Sequence, residues 1–165
     1  MLLAGGVAER GDVEAALDAG AIAAVAGTRF LASEESGAHP DYKQRLVGGS
    51  ETLLTELFGM GWPRAPHRVL ANGATRRWLG DDRRGPPGIR ALHAALSPLA
   101  RLTSPSMQQR MARRPASGLL DLAPPAPTAG MPAATIETHP LYAGETVARV
   151  GSIQPAAELV AELTP

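Results

Sequence analysis

The first 35 residues alternate between short apolar runs and helix-forming segments, and a glycine follows each apolar run. Leu2–Ala4 is followed by Gly5-Gly6, and the continuous run Ala21–Ala26 is followed by Gly27-Thr28. Continuous apolar runs of this length are typical of parallel strands that helices cover on both faces. Strand, helix, strand and helix in this order make a βαβ unit. The sequence therefore predicts an α/β fold with two parallel strands and a glycine turn after each.

Helix boundaries follow from capping residues along the same stretch. The helix between the two strands is predicted to begin at Asp12, whose carboxylate can accept hydrogen bonds from the first turn, and to end at Gly20 in the left-handed conformation. A second helical stretch is predicted over residues 29–35 and a third over Pro40–Val47. Residues 50–58 are compatible with either a strand or a helix.

The pattern weakens in the second half of the chain. Residues 62–72 are predicted to be extended because they contain two prolines. Residues 81–132 are rich in proline and predict a long irregular or disordered excursion, with helical spacing only at 89–96 and 107–114. A proline then precedes an amphipathic C-terminal helix over Ala156–Leu163.

Charge and composition exclude several classes of function. Net charge is zero, although a run without acidic residues contains arginines 83, 84, 90, 101, 110, 113 and 114. Such a run is most often a solvated or disordered face, and no aromatic side chains interleave it for base stacking, so we expect no nucleic-acid partner. The longest apolar run is too short to span a membrane, and no secretory signal pattern is present. The absence of cysteine excludes disulfides and thiolate metal sites; we expect a cytoplasmic protein without a metal.

The two glycine turns predict a phosphate site. Parallel strands end at the same edge of a sheet, so backbone N–H groups of both turns should face one ligand, backed by helix N-termini and the Thr28 hydroxyl. In a (β/α)8 barrel, the loops after the last two strands commonly form such a site. The turns lie 22 residues apart, counted from Gly5 to Gly27. The alternative, in which both glycines are ordinary turn residues, stays open at this point.

Three stretches resemble the nitronate monooxygenase family, formerly called 2-nitropropane dioxygenases. The first is AGGVAERGDVEAALDAGAIAAVAGTRFLASEESGAHPDYKQRLV (4–47), which resembles the C-terminal part of the family and contains the most specific piece, GTRFLASEES. The match continues through ETLLTELFGMGWPRAPHRVLAN (51–72), and the family's ending is similar to LYAGETVARVGSIQPAAELVAEL (141–163). Members of the family are (β/α)8 barrels that bind FMN and oxidise alkyl nitronates with molecular oxygen.

The resemblance implies an α/β fold that is the C-terminal fragment of a TIM (β/α)8 barrel. Residues 1–78 would supply the last two strands and helices, 79–138 an irregular Pro/Arg-rich segment, and 139–165 the closing LYAG motif and a C-terminal helix. The six preceding strands, the residues around the flavin ring and the family's catalytic histidine have no counterpart here. We therefore expect a missing N-terminal half as partner, and an isolated chain that is inactive and exposes unpaired strand edges and an apolar sheet face.

The resemblance also implies cofactor-binding residues. Ala4, Gly5 and Gly6 would lie in the turn after the seventh barrel strand, and Gly27 and Thr28 in the turn after the eighth, around the FMN phosphate. No residue of this chain is assigned a catalytic role.

Alternatives stay open for other polar residues of the matching stretches. Arg29 is either a phosphate ligand or a structural ion-pair partner. Tyr142 and Gly144 belong to the closing motif, which tends to return toward the flavin, although the tyrosine would more often simply pack. The four histidines, at positions 39, 67, 93 and 139, are expected at the surface.

Three functions remain open on the sequence alone. The resemblance favours an FMN-dependent nitronate monooxygenase, with FMN, a small nitronate and O2 as partners of the complete enzyme. Flavin-dependent enoyl reductases and NADH:quinone reductases are similar at the same two turns. The third alternative is a non-catalytic remnant or interaction module that binds through its arginine-rich stretch.

Overall fold

The computed structural model describes residues 1–60, 62, 64–102, 104, 106–107, 122 and 125–165. They form two compact units. The first unit consists of Met1–Thr52 and Ala143–Pro165, and the second unit is Leu53–Tyr142. Both boundaries predicted from sequence, at 78 and at 138, fall within the second unit.

The described elements are, in chain order, β1 (Leu2–Ala4), α1 (Arg10–Asp18), β2 (Ala23–Val25), α2 (Thr28–Leu31), α3 (Pro40–Val47), β3 (Leu53–Thr55), β4 (His67–Val69), α4 (Gly73–Trp78), α5 (Pro87–Arg101), α6 (Thr135–Thr138), a 3-10 helix (Glu145–Arg149) and α7 (Ala156–Leu163). Among these, no helix is long and apolar enough to cross a membrane.

The first unit begins with the predicted βαβ arrangement. Strands β1 and β2 pair in parallel, with Leu2 opposite Ala23 and Ala4 opposite Val25, and α1 connects them. Within the described residues the sheet has two strands. Apolar side chains of this sheet region, at Leu2, Ile22 and Val25, are exposed. The mixed α/β class and the parallel pair are therefore confirmed.

Helix α1 differs from the sequence prediction at its start. It begins at Arg10, and Asp12 is its third residue. The Asp12 carboxylate reaches back and accepts hydrogen bonds from the backbone N–H groups of Ala8 (2.8 Å) and Glu9 (2.9 Å). Asp12 thus satisfies free N–H groups as predicted, but from inside the first turn. Gly20 has the expected left-handed conformation, with φ +90°.

The second unit contains an antiparallel pair. Strands β3 and β4 align Leu53 with Val69, which resolves the ambiguous stretch 50–58 in favour of a strand. The core cluster of this unit consists of Leu57, Phe58, Val69, Ala74, Ile89 and Leu122.

Helix α5 corrects the prediction of an irregular segment and confirms the helical spacing predicted at 89–96. It runs for 15 residues through the stretch expected to be irregular, and α6 is a second helix there. Pro87 occupies the first position of α5, where a proline costs the helix no hydrogen bond, and Ile89 and His93 bury one face four residues apart. The predicted helix over 107–114 lies outside the described residues except at 107, as do the side chains of arginines 101, 110, 113 and 114.

Asn72 joins two helices of the second unit. It is fully buried and caps α4, with its side-chain oxygen accepting a hydrogen bond from the Thr75 N–H at 3.1 Å. Its side-chain NH2 donates to the carbonyl oxygens of Ile136 (2.9 Å) and His139 (2.7 Å), which lie in and directly after α6. One amide thereby satisfies three backbone groups.

Candidate functional site

The two glycine turns lie at the same edge of the parallel sheet. Ala4 is the last residue of β1 and is paired with Val25, the last residue of β2. Gly6 and Gly27 each follow two residues after this pair. Gly5 and Gly6 both adopt left-handed backbone conformations, with φ +89° and +75°, which other residues rarely adopt. The arrangement agrees with the shared edge predicted from the sequence.

Both turns present open space and free donors. A Cβ atom built on Gly5, Gly6 or Gly27 would meet no other heavy atom within 4 Å. In the part of the chain that the structure describes, the N–H groups of Gly6 and Gly27 donate no backbone hydrogen bond. Free amides beside open space are what an oxyanion needs in order to approach the backbone.

Thr28 connects the second turn to the closing motif. Its Oγ1 accepts a hydrogen bond from the Gly144 N–H at 2.8 Å, which leaves the hydroxyl proton free to donate elsewhere. A Cβ on Gly144 would lie 3.2 Å from this oxygen, so the close approach favours glycine there. The closing motif therefore returns to one of the predicted phosphate turns through Gly144.

Arg149, which follows Gly144 in the same short stretch of chain, contacts the first turn. It donates to the Gly6 carbonyl oxygen at 3.1 Å and to both carboxylate oxygens of Asp12 at 3.1 and 2.9 Å. Because a trans peptide directs its C=O and N–H oppositely, the bond to Gly6 turns the Val7 N–H away from Arg149. We call residues 144–149 the closing segment; it contacts both glycine turns. Sequence reasoning missed Arg149, whose only signal was its place in the matching GETVAR stretch.

Asp12 is held in its charged form by these contacts. The Ala8 N–H lowers the pKa of Asp12 below its ordinary value of 3.8 more than any other group; partial burial opposes this shift, and Arg149 and the Glu9 N–H add to it. A carboxyl group whose pKa is lowered in the folded state stabilises the fold at pH values above its ordinary pKa. That stabilisation is lost as pH falls through the lower folded-state pKa.

We expect NMR titration of the Asp12 carboxyl to give a midpoint below 3.8. Replacing Arg149 with methionine removes a hydrogen-bonded positive charge and should raise that midpoint. The control Arg45→Met, which removes a positive charge on α3, should leave it unchanged. Equal midpoints in the native protein and the Arg149 variant would contradict the assigned contact.

Arg29 does not point to the glycine turns. It is buried and donates to the Ser152 carbonyl oxygen at 3.3 Å, to the Gln154 side chain and to Glu162 at 3.1 Å. This bonding favours the structural alternative for Arg29. The helix that Arg29 belongs to, α2, has only four residues, so the expected contribution of a helix N-terminus behind the second turn is small.

Tyr142, the other residue singled out in the closing motif, packs within the second unit. Its ring meets the His67 ring edge-on, with centroids 5.5 Å apart. Burial raises the pKa of Tyr142 to about 12, so the hydroxyl stays protonated at neutral pH.

The prediction of surface histidines is wrong for three of the four. His39, His93 and His139 are buried, and His67 is half-buried. His39 accepts a hydrogen bond from the Asp41 N–H at the start of α3, and the His139 ring lies 2.9 Å from the Thr138 hydroxyl. Across the described ranges, no group of three or more His, Asp or Glu side chains is placed to hold a metal ion.

Comparison with known proteins gives concordant results. The family model described as nitronate monooxygenase matches residues 1–165. A probable nitronate monooxygenase of Bacillus subtilis (strain 168) is 42% identical over 84 residues, which are 50% of this chain and 22% of the relative.

Solved structures are similar over nearly the whole chain. Nitroalkane oxidase from Streptomyces ansochromogenes is 30% identical with a TM-score of 0.61, over 98% of this chain and 37% of that one. FabK from Thermotoga maritima is 24% identical with a TM-score of 0.60, over 98% of this chain and 42% of that one, a likeness of fold alone. The chain thus spans less than half the length of each of these relatives.

Proposed function

Because the chain belongs to the nitronate monooxygenase family, we propose that it forms the FMN phosphate site of a flavin-dependent oxidoreductase that oxidises alkyl nitronates with molecular oxygen. We also propose that β1 and β2 are the last two strands of the (β/α)8 barrel that the resemblance implies.

The observation that supports this proposal most strongly is the pair of open glycine turns at one sheet edge. Ala4, Gly5 and Gly6 would hold the phosphate from the first turn, and Gly27 and Thr28 from the second. The parallel register brings the ends of β1 and β2 together, and the turns leave both space and free N–H donors. These features fit a phosphate group, which accepts several hydrogen bonds at short range.

The residues of this chain would act by binding and orientation. Backbone N–H groups of both turns would donate to the phosphate oxygens, and the Thr28 hydroxyl, which accepts a hydrogen bond from the Gly144 N–H, would add a donor. Arg149 fixes the peptide after Gly6 through its hydrogen bond to the Gly6 carbonyl oxygen. The bound flavin would supply the redox chemistry, by taking electrons from the nitronate and passing them to oxygen.

Substituting Thr28 tests the phosphate site directly. In the natural protein, Thr28→Val should weaken FMN binding about tenfold, because a hydrogen bond to a charged group is lost. Thr28→Ser keeps the hydroxyl and should bind FMN nearly as the native protein does. Flavin fluorescence titration of the apoprotein measures both, and equal affinities for the valine and serine variants would exclude a role for the hydroxyl.

The substrate class needs a separate assay, since flavin-dependent enoyl and NADH:quinone reductases would use the same phosphate site. We expect the flavin-loaded protein to consume oxygen with an alkyl nitronate and to oxidise NADH slowly. Fast NADH oxidation without nitronate turnover would instead indicate a reductase. A protein that binds no flavin, and binds a polyanion with strong salt dependence, would support the interaction-module alternative.

A further inference from the structure

We propose that Thr146 of the closing segment is a further ligand of the FMN phosphate, and that its hydroxyl donates to the same group as the Thr28 hydroxyl. This inference rests on the proposed phosphate site at the two glycine turns, and it adds to that site a donor from a distant part of the chain. Every residue that it uses belongs to the first unit and is described by the structure.

Thr146 is a buried residue with an unpaired hydroxyl. It lies in the 3-10 helix Glu145–Arg149 and is 7% exposed, and its side chain makes no hydrogen bond within the described residues. Buried hydroxyls are usually hydrogen-bonded. The described side-chain atoms that are both unpaired and shielded from solvent belong to His67 and His93. The Thr146 oxygen therefore reaches solvent, where a ligand can accept its hydrogen bond.

Gly144 shows where this hydroxyl lies. A Cβ atom built on Gly144 would be 3.2 Å from Thr28 Oγ1 and 3.9 Å from Thr146 Oγ1. Both oxygens thus lie on the side of Gly144 where a side chain would be, and glycine leaves them uncovered there. The Thr28 oxygen accepts a hydrogen bond from the Gly144 N–H, and no hydrogen bond joins the two described hydroxyls. Each hydroxyl keeps its proton for another acceptor.

A phosphate group at the second turn matches these two donors. Its oxygens are separate acceptors, and each takes a hydrogen bond from a hydroxyl oxygen at about 2.7 Å. Two hydroxyls close to the same point can therefore donate to one phosphate.

The arginines that lie near these threonines along the chain are engaged with carboxylates. Arg29, which follows Thr28, lies 3.1 Å from Glu162. Arg149, three residues after Thr146, lies 2.9 Å from Asp12. The phosphate is therefore recognised by uncharged donors at this end of the site, and a second hydroxyl adds directly to the binding.

The test compares FMN with riboflavin, which has the same ring system without the phosphate. The apo form of the natural protein and each variant are titrated with both flavins at pH 7, and flavin fluorescence measures the affinities. We expect Thr146→Val to weaken FMN binding about tenfold, because a hydrogen bond to a charged group is lost, and to leave riboflavin affinity unchanged. Thr146→Ser keeps the hydroxyl and should bind both flavins nearly as the native protein does.

Two controls separate phosphate binding from effects on folding. Thr164→Val removes an exposed hydroxyl of the same unit and should change neither affinity. Thr146→Val should not lower the urea midpoint of the apoprotein, because the hydroxyl that it removes has no partner among the described residues. A lower midpoint, or an equal loss of affinity for both flavins, would indicate a structural role for Thr146 and overturn the proposal.

The flavin preference of the native protein distinguishes this inference from the proposed function. If the native protein binds FMN more tightly than riboflavin and Thr146→Val keeps that preference, Thr146 is not a ligand, and the site at the two turns is unaffected. If the native protein binds both flavins equally, the phosphate site is wrong, and the role of Thr146 is wrong with it. A serine variant that binds FMN as weakly as the valine variant would also overturn the role of the hydroxyl.

Discussion

Replacing Gly6 with valine is expected to weaken FMN binding by about 30- to 100-fold in the full-length protein, which corresponds to about 2–3 kcal/mol. Gly6 has φ +75°, where a β-branched side chain is strongly disfavoured. The turn must therefore change its path, and strain of this kind costs about 1–3 kcal/mol. A changed path would also displace the Gly6 carbonyl from Arg149 and misdirect the N–H groups that we assign to the phosphate. Flavin fluorescence titration of the apoprotein measures the loss.

Gly11→Val is the matched control for this substitution. Gly11 lies in α1 with space around its Cβ position and without a positive φ. Valine and glycine differ by only about 0.5 kcal/mol in helix propensity, so the control should unfold at nearly the native temperature and bind FMN normally. If both variants bound FMN with native affinity, the first turn would not be part of the cofactor site.

Replacing Asn72 with aspartate is expected to destabilise the second unit by about 3–5 kcal/mol, the range seen when a buried charge is left uncompensated. Aspartate can still accept the hydrogen bond from Thr75, so the helix cap is kept. It cannot donate to the carbonyl oxygens of Ile136 and His139, which would then face a carboxylate in a fully buried position. Urea denaturation at pH 7 measures the free energy of unfolding.

The control for this change is Gln44→Glu, an amide-to-carboxylate substitution at an exposed position of α3. Exposed substitutions of this kind usually change stability by less than about 0.5 kcal/mol. Partial recovery of Asn72→Asp at low pH, where the carboxyl is protonated and can donate again, would identify the lost donor as the cause. A loss of stability no greater than in the control would contradict the bridging role of Asn72.

Features set by neighbouring residues could be predicted from the sequence. The βαβ order, the parallel pair and the left-handed Gly20 follow from apolar runs and turn residues that are close along the chain. Helix α3 likewise has the predicted range Pro40–Val47, because a proline opens it and a glycine follows it.

Features that depend on distant residues could not be predicted. Arg149 reaches Gly6 across 143 positions, and no periodicity links the two. His93 and His139 are buried, which residue type alone does not predict for histidine. For the candidate site, the sequence pattern predicted the glycine turns but not the side chains that contact them.

The path of the chain through the first unit has a consequence for biosynthesis. During synthesis, Gly6 and Thr28 leave the ribosome before the second unit, and Gly144 and Arg149 leave it after that unit. The nascent chain therefore keeps both glycine turns without these contacts while the second unit is made. The closing segment can contact the two turns only after residue 149 has been added.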